Sequence, residues 1–318
     1  MEDLVFSLNV VLPLFLLMII GVGLREFRIL PAEFFPAANK ISFSLFLPAI
    51  LFLNIYDYCE NFRQLKWGFP AFAGGAVVVT ILLAVLIVPI FIKDKKSSAV
   101  VIQSIFRSNY LLFGIPALEN MFGGEGVFSA ALIIPIVIPI FNVAAVLVLS
   151  AGGSGEKKGV FSLVVSALKN PLIVATLLGL VFSFFKLQFS FELPKAIYST
   201  TKSLASVGTP LALISLGGQF DFKSLGGNIK ALTAATVLRT LIVPAVWLAV
   251  AVLLGYRTSE LAALLVLLGS PAAVSSYIMA EQLDCNGQLA SQIVMATTAV
   301  SAFTIFIFIF LLRSLSLI

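Results

Sequence analysis

Histidine is absent from all 318 residues. That removes histidine metal ligands, histidine proton relays and Ser-His-Asp triads together. Only two cysteines occur, Cys59 and Cys285, too few and too far apart for a disulfide framework or a zinc motif. Charged residues make up 11% of the chain, whereas a soluble domain carries about a quarter. No stretch between the apolar runs is long enough to hold a separate soluble domain. The net charge is +5, but the basic residues are scattered through short connections, which argues against a nucleic-acid partner. There is no GxxxxGK[ST] loop, so nothing suggests a nucleotide or another cofactor. The chain starts Met-Glu-Asp before its first apolar run, which reads as a retained span rather than a cleavable signal.

What is present is apolar sequence, 60% of the residues. About twenty residues cross a bilayer core of roughly 30 Å. The runs predict an all-α integral membrane protein of ten spans, at 5–24, 38–55, 68–92, 98–120, 126–150, 161–184, 199–218, 229–254, 258–280 and 288–312. The polar, glycine-rich stretch 151–160 reads as a linker between residues 1–150 and 161–318.

The two parts echo one another. Pro13, Gly21, Pro31, Pro48 and Gly114-Ile-Pro116 have counterparts in Pro171, Gly179, Pro194, Pro210 and Gly269-Ser-Pro271, in the same order. Five spans per half is odd, so the halves enter the membrane from opposite sides, as an inverted repeat. Seven Lys and Arg fall on the N-terminal side and thirteen on the other. The positive-inside rule then places both termini outside a cell membrane.

Spans four and nine carry the chemistry. Proline inside a helix removes a hydrogen bond and clashes with the preceding turn. Bare backbone survives in hydrocarbon only where it lines a cavity. Gly114-Ile115-Pro116 and Gly269-Ser270-Pro271 are therefore expected to break their spans, with each proline opening a new half-helix whose N-terminus attracts an anion. Asn109 precedes the first break. Asn142 is either a site amide or helix-packing glue. Arg107 and Arg239 lie about nine residues into their spans and either meet a carboxylate or snorkel to the interface. Glu119 is either a coupling acid or a complement to a half-helix N-terminus.

The run Ser108-Asn-Tyr-Leu-Leu-Phe-Gly-Ile-Pro-Ala-Leu-Glu-Asn-Met-Phe-Gly123 resembles the fourth span of the auxin efflux carrier family, N-x-x-x-x-G-I-P-L-L followed by M-[YF]-G. Phe46–Phe52, Thr209–Gly217 and the segment from Ser270 to Thr298 are similar too. The resemblance implies a ten-helix fold with a mobile unit and a scaffold unit, crossing at broken helices four and nine. It also implies that Asn109 contacts a carboxylate, as the matching asparagine does in plant members. Microbial members are generally assigned to organic acids such as malate or malonate. Ser108 and Ser276 stand where plant carriers have proline, and the short linker suits a compact microbial-type carrier.

The expectation is a secondary transporter of a small organic anion working by alternating access. A sodium-coupled symporter of the bile-acid type is the alternative. Proton or sodium coupling and a homodimeric state are both left open by the sequence.

Overall fold

The computed structural model describes residues 2–57, 59, 68–153, 171–219 and 229–318, all helix and connection with no strand among them. The expected linker and the start of the sixth span lie largely outside the described residues. Seven helices are long and apolar enough to cross a membrane. They are α1 (Asp3–Glu26), α2 (Phe34–Asp57), α3 (Gly68–Phe91), α6 (Gly124–Gly152), α7 (Pro171–Phe189), α9 (Ile229–Leu253) and α12 (Gly287–Ser314). A further helix, α8 (Lys195–Gly218), is 24 residues long but more polar. The remaining two apolar segments are interrupted. One comprises α4 (Lys95–Phe106) and α5 (Ile115–Phe122). The other comprises α10 (Thr258–Gly269) and α11 (Ser275–Gln282).

Helices α1, α2, α7 and α8 pack on one another, while α3 to α6 and α9 to α12 form a second group. Within the first group the backbones of α1 and α8 approach closely because glycine permits it. A Cβ at Gly217 would overlap the Met18 carbonyl, and one at Gly21 would overlap the Ile214 carbonyl. Small residues that admit close backbone contact are a main source of helix association in lipid. Gly217→Ala should therefore lower stability by about 1–3 kcal/mol through overpacking, read as a drop in the thermal unfolding midpoint. An unchanged midpoint would show that α1 and α8 can separate at no cost.

Three prolines show how helices continue where the residue type predicts a break. A π-helical turn spans Ser42–Phe46, another Tyr110–Gly114 and a third Leu238–Ile242. Each ends two residues before a proline, at Pro48, Pro116 and Pro244. The residue before each proline donates its N–H to the carbonyl five residues back: Leu47 to Ser42, Ile115 to Tyr110 and Val243 to Leu238. The wider turn moves the carbonyl that the proline ring would otherwise strike.

This corrects the expected position of the first break. Gly114-Ile115-Pro116 runs on as helix, with Gly114 at φ −70°, ψ −43°. The chain leaves helical geometry earlier, at Arg107 (φ −80°, ψ 97°) and Asn109 (φ −78°, ψ 42°). In the second interrupted segment Pro271 lies in non-helical backbone, and the new half-helix begins at Ser275 rather than at the proline. Cys59 is buried and Cys285 partly so.

Candidate functional site

The two interruptions meet. Ser108 and Ala272 form an antiparallel β-bridge, the Asn109 N–H donating to the Pro271 carbonyl at 2.8 Å and the Ala273 N–H to the Arg107 carbonyl at 3.0 Å. The Ala272 N–H donates to Thr297 Oγ1 on α12 at 3.1 Å. Backbone groups freed by leaving the helix are thus paired across the two segments, which low-dielectric surroundings require.

Beside the bridge lies a cavity of about 400 Å³. One wall comes from the first helix group: Pro36, Asn39, Lys40, Phe43 and Ser44 of α2, with Gln219 just after α8. The other comes from Arg107 to Asn109, Leu111 and Leu112, from Ile138, Phe141 and Asn142 of α6, and from Ala273 to Ser275 and Tyr277. Among the described residues, two cations, Lys40 and Arg107, are in this lining, and no aspartate or glutamate is. The N-terminal ends of the half-helices that follow the breaks also reach it, through Asn109 and Ser275.

The two arginines differ sharply in how they are held. Arg239 is 1% exposed and does not line the cavity. Its Nε donates to the Ser270 carbonyl at 2.8 Å, Nη1 to the Ile105 carbonyl at 3.0 Å and Nη2 to the Leu267 carbonyl at 3.0 Å. It therefore meets backbone rather than the carboxylate or interface considered from the sequence. Arg107 is half-buried and makes only long bonds, Nη1 to the Phe141 carbonyl at 3.4 Å and Nη2 to Ser275 Oγ at 3.3 Å. Among the described residues its buried Nε has no partner, nor has Nδ2 of Asn109 or Oγ of Ser108. Buried donors without partners cost about 1–3 kcal/mol each, so these three are poised for an acceptor.

The other residues singled out from sequence disperse. Asn142 lines the cavity. Gly114, Ile115, Pro116, Gly269, Ser270 and Pro271 do not; they pack behind the bridge, where a Cβ at Gly114 would come within 3.4 Å of Val266 Cβ and Ser270 Oγ. Glu119 is exposed, away from the cavity lining, and accepts a bond from Thr209 Oγ1 at 2.8 Å. Sequence reading missed Asn39, Lys40, Ser44, Gln219 and Tyr277. The spacing Pro36, Asn39-Lys40, Phe43-Ser44 marks one helix face and would have flagged the first three.

Comparison with known proteins finds similarity to membrane transporters. The family described as membrane transport protein matches residues 6–309. An uncharacterized transporter of Methanocaldococcus jannaschii is 24% identical over 94% of this chain and 96% of its own length. One from Methanothermobacter thermautotrophicus is 23% identical over 93% and 95%. Auxin efflux carrier component 2 of Oryza sativa subsp. japonica is 26% identical over 39% of this chain and 20% of its own. The sodium-coupled bile-acid alternative finds no support in these matches. With crossed, interrupted helices in an all-helical apolar chain and a family match over nearly its whole length, the chain belongs to the membrane transport protein family, that of the auxin efflux carriers.

Proposed function

We propose that the chain is a secondary transporter that moves a small organic anion, a carboxylate above all, across the cell membrane by alternating access. The observation that carries this reading is the cavity beside the bridge: among the described residues its lining has two cations, three unpartnered groups able to donate at Arg107, Ser108 and Asn109, and no carboxylate. A carboxylate would take the Arg107 Nε and Asn109 Nδ2 donors, with the half-helix N-termini adding positive field. Its organic part would lie against Leu111, Leu112, Ile138 and Phe141.

The seven long apolar helices, α8 and the two interrupted segments make ten spans in this reading, arranged as two inverted repeats of five. The helix group of α1, α2, α7 and α8 acts as scaffold and the other as the moving unit, with the cavity between them. The break positions suit the repeat better than the prolines do. Arg107–Asn109 and Ser270–Ala272 lie 163 apart (270 − 107), as do Pro31 and Pro194 (194 − 31).

Uptake into proteoliposomes tests the function. Small mono- and dicarboxylates should enter in exchange for internal carboxylate, whereas amines of matched size should not. Preference for amines would sink the reading.

Orientation is a separate expectation. With both termini outside, a cysteine introduced at Lys95, in a chain lacking Cys59 and Cys285, should resist an impermeant thiol reagent in intact cells. Rapid labelling would invert the topology.

A further inference from the structure

Arg239 is a charge without a counter-charge: among the described residues no carboxylate pairs with it. A lone buried guanidinium is strongly unfavourable unless its surroundings compensate it. Here the compensation is backbone. The carbonyls of Ile105 and Phe106 close α4, those of Leu267 and Ser270 close α10, and all four lie within 3.4 Å of a guanidinium nitrogen. A helix C-terminus carries about half a negative charge, so two such ends supply about the single charge that one guanidinium balances. In transporters built on broken helices, unwound carbonyls and half-helix C-terminal ends are the groups that hold coupling cations.

We infer that Arg239 is a tethered counter-cation: it fills the carbonyl cage at the crossing where a mobile cation would otherwise sit, so solute binding here requires no sodium. The inference rests on the crossing being the transport site. Arg239 is not in the cavity lining and works as a positioning residue. It draws the C-terminal ends of α4 and α10 together behind the bridge and neutralises them, which leaves the N-terminal ends after the breaks to act on the solute uncancelled. Because the cation is covalently attached through α9, it cannot be released to either side of the membrane in a transport cycle.

The test begins with the wild-type protein, purified and exchanged from sodium chloride into choline chloride at constant ionic strength. The unfolding midpoint should not change, and radiolabelled sodium should show no saturable binding. Arg239→Ala should lower the midpoint, and methylguanidinium, well below denaturing concentrations, should raise it again with the logarithm of its concentration. Arg107→Ala should gain nothing from the same addition. Saturable, stoichiometric sodium binding by the wild type overturns the inference, and this measurement decides even if Arg239→Ala does not fold. A folded Arg239→Ala variant indifferent to methylguanidinium overturns it as well. Carboxylate binding measured on the same wild-type samples separates the two readings. Sodium binding with carboxylate binding intact removes the tethered cation and leaves the anion site. Absent carboxylate binding removes the anion site itself.

Discussion

Arg107→Glu should abolish carboxylate binding and uptake. Among the described residues the cavity lining holds two cations and no acid, and the substitution replaces one cation and its unpartnered Nε by an acid beside the unpartnered Ser108 Oγ and Asn109 Nδ2. At about 4 Å and an effective dielectric of about 20, a pair of unit charges interacts by roughly 4 kcal/mol. Losing that attraction alone is about a thousand-fold in affinity, and the new repulsion adds to it. The protein should still fold, because Arg107 makes only two long bonds, at 3.3 and 3.4 Å. Isothermal calorimetry against mono- and dicarboxylates measures the loss. Binding within ten-fold of the wild type would exclude Arg107 from the solute's path. Arg107→Lys should retain part of the affinity, since the charge survives while the fork of donors does not.

Asn109→Ala is expected to reduce affinity by ten- to a hundred-fold, the cost of about 1.5–3 kcal/mol for one hydrogen bond to a charged acceptor. Asn109 is 5% exposed and its Nδ2 is unpartnered, while its backbone N–H is fixed to Pro271. The side chain can therefore be removed without loosening the bridge. The unfolding midpoint should stay level or rise, because a buried unsatisfied donor disappears. Transport assays would show the change as a higher half-saturation concentration. Wild-type uptake by this variant would leave Asn109 out of the site.

Much of the architecture can be read from the chain, since the long apolar runs are helix wherever they are described, and the two interrupted segments are the two spans that glycine-proline pairs singled out. The position of the first interruption could not be read. Pro116 looks like a helix breaker, yet the π-helical turn Tyr110–Gly114 absorbs it. The actual departure at Arg107–Asn109 contains no residue that breaks helices locally. It is imposed by pairing with Pro271 and Ala273, a contact between positions more than 160 residues apart. The two arginines looked equivalent for a similar reason. What distinguishes them is which carbonyls lie nearby, and a backbone carbonyl has no letter in the sequence. Lys40 could not be read as a site residue, because its helix begins at Phe34, one turn before the expected span, and carries it deeper than a span-end charge. Asn109 was legible, since its motif match and its place beside the interruption point the same way.

The π-helical turn at Ser42–Phe46 sets the rotational phase of α2. An α-helix advances about 100° per residue, so one residue more or fewer in that turn would swing everything before it by about that angle relative to Leu47–Asp57. The part after the turn is anchored, with Ser183 Oγ of α7 bonded to the Ile55 carbonyl at 3.0 Å. Asn39 and Lys40, before the turn, would therefore be the residues to move. Deleting Leu45 alone would turn that amide and that ammonium off the cavity wall with every side chain of the solute site still encoded. The basic rim is thus a matter of angular register as well as of which residues the chain contains.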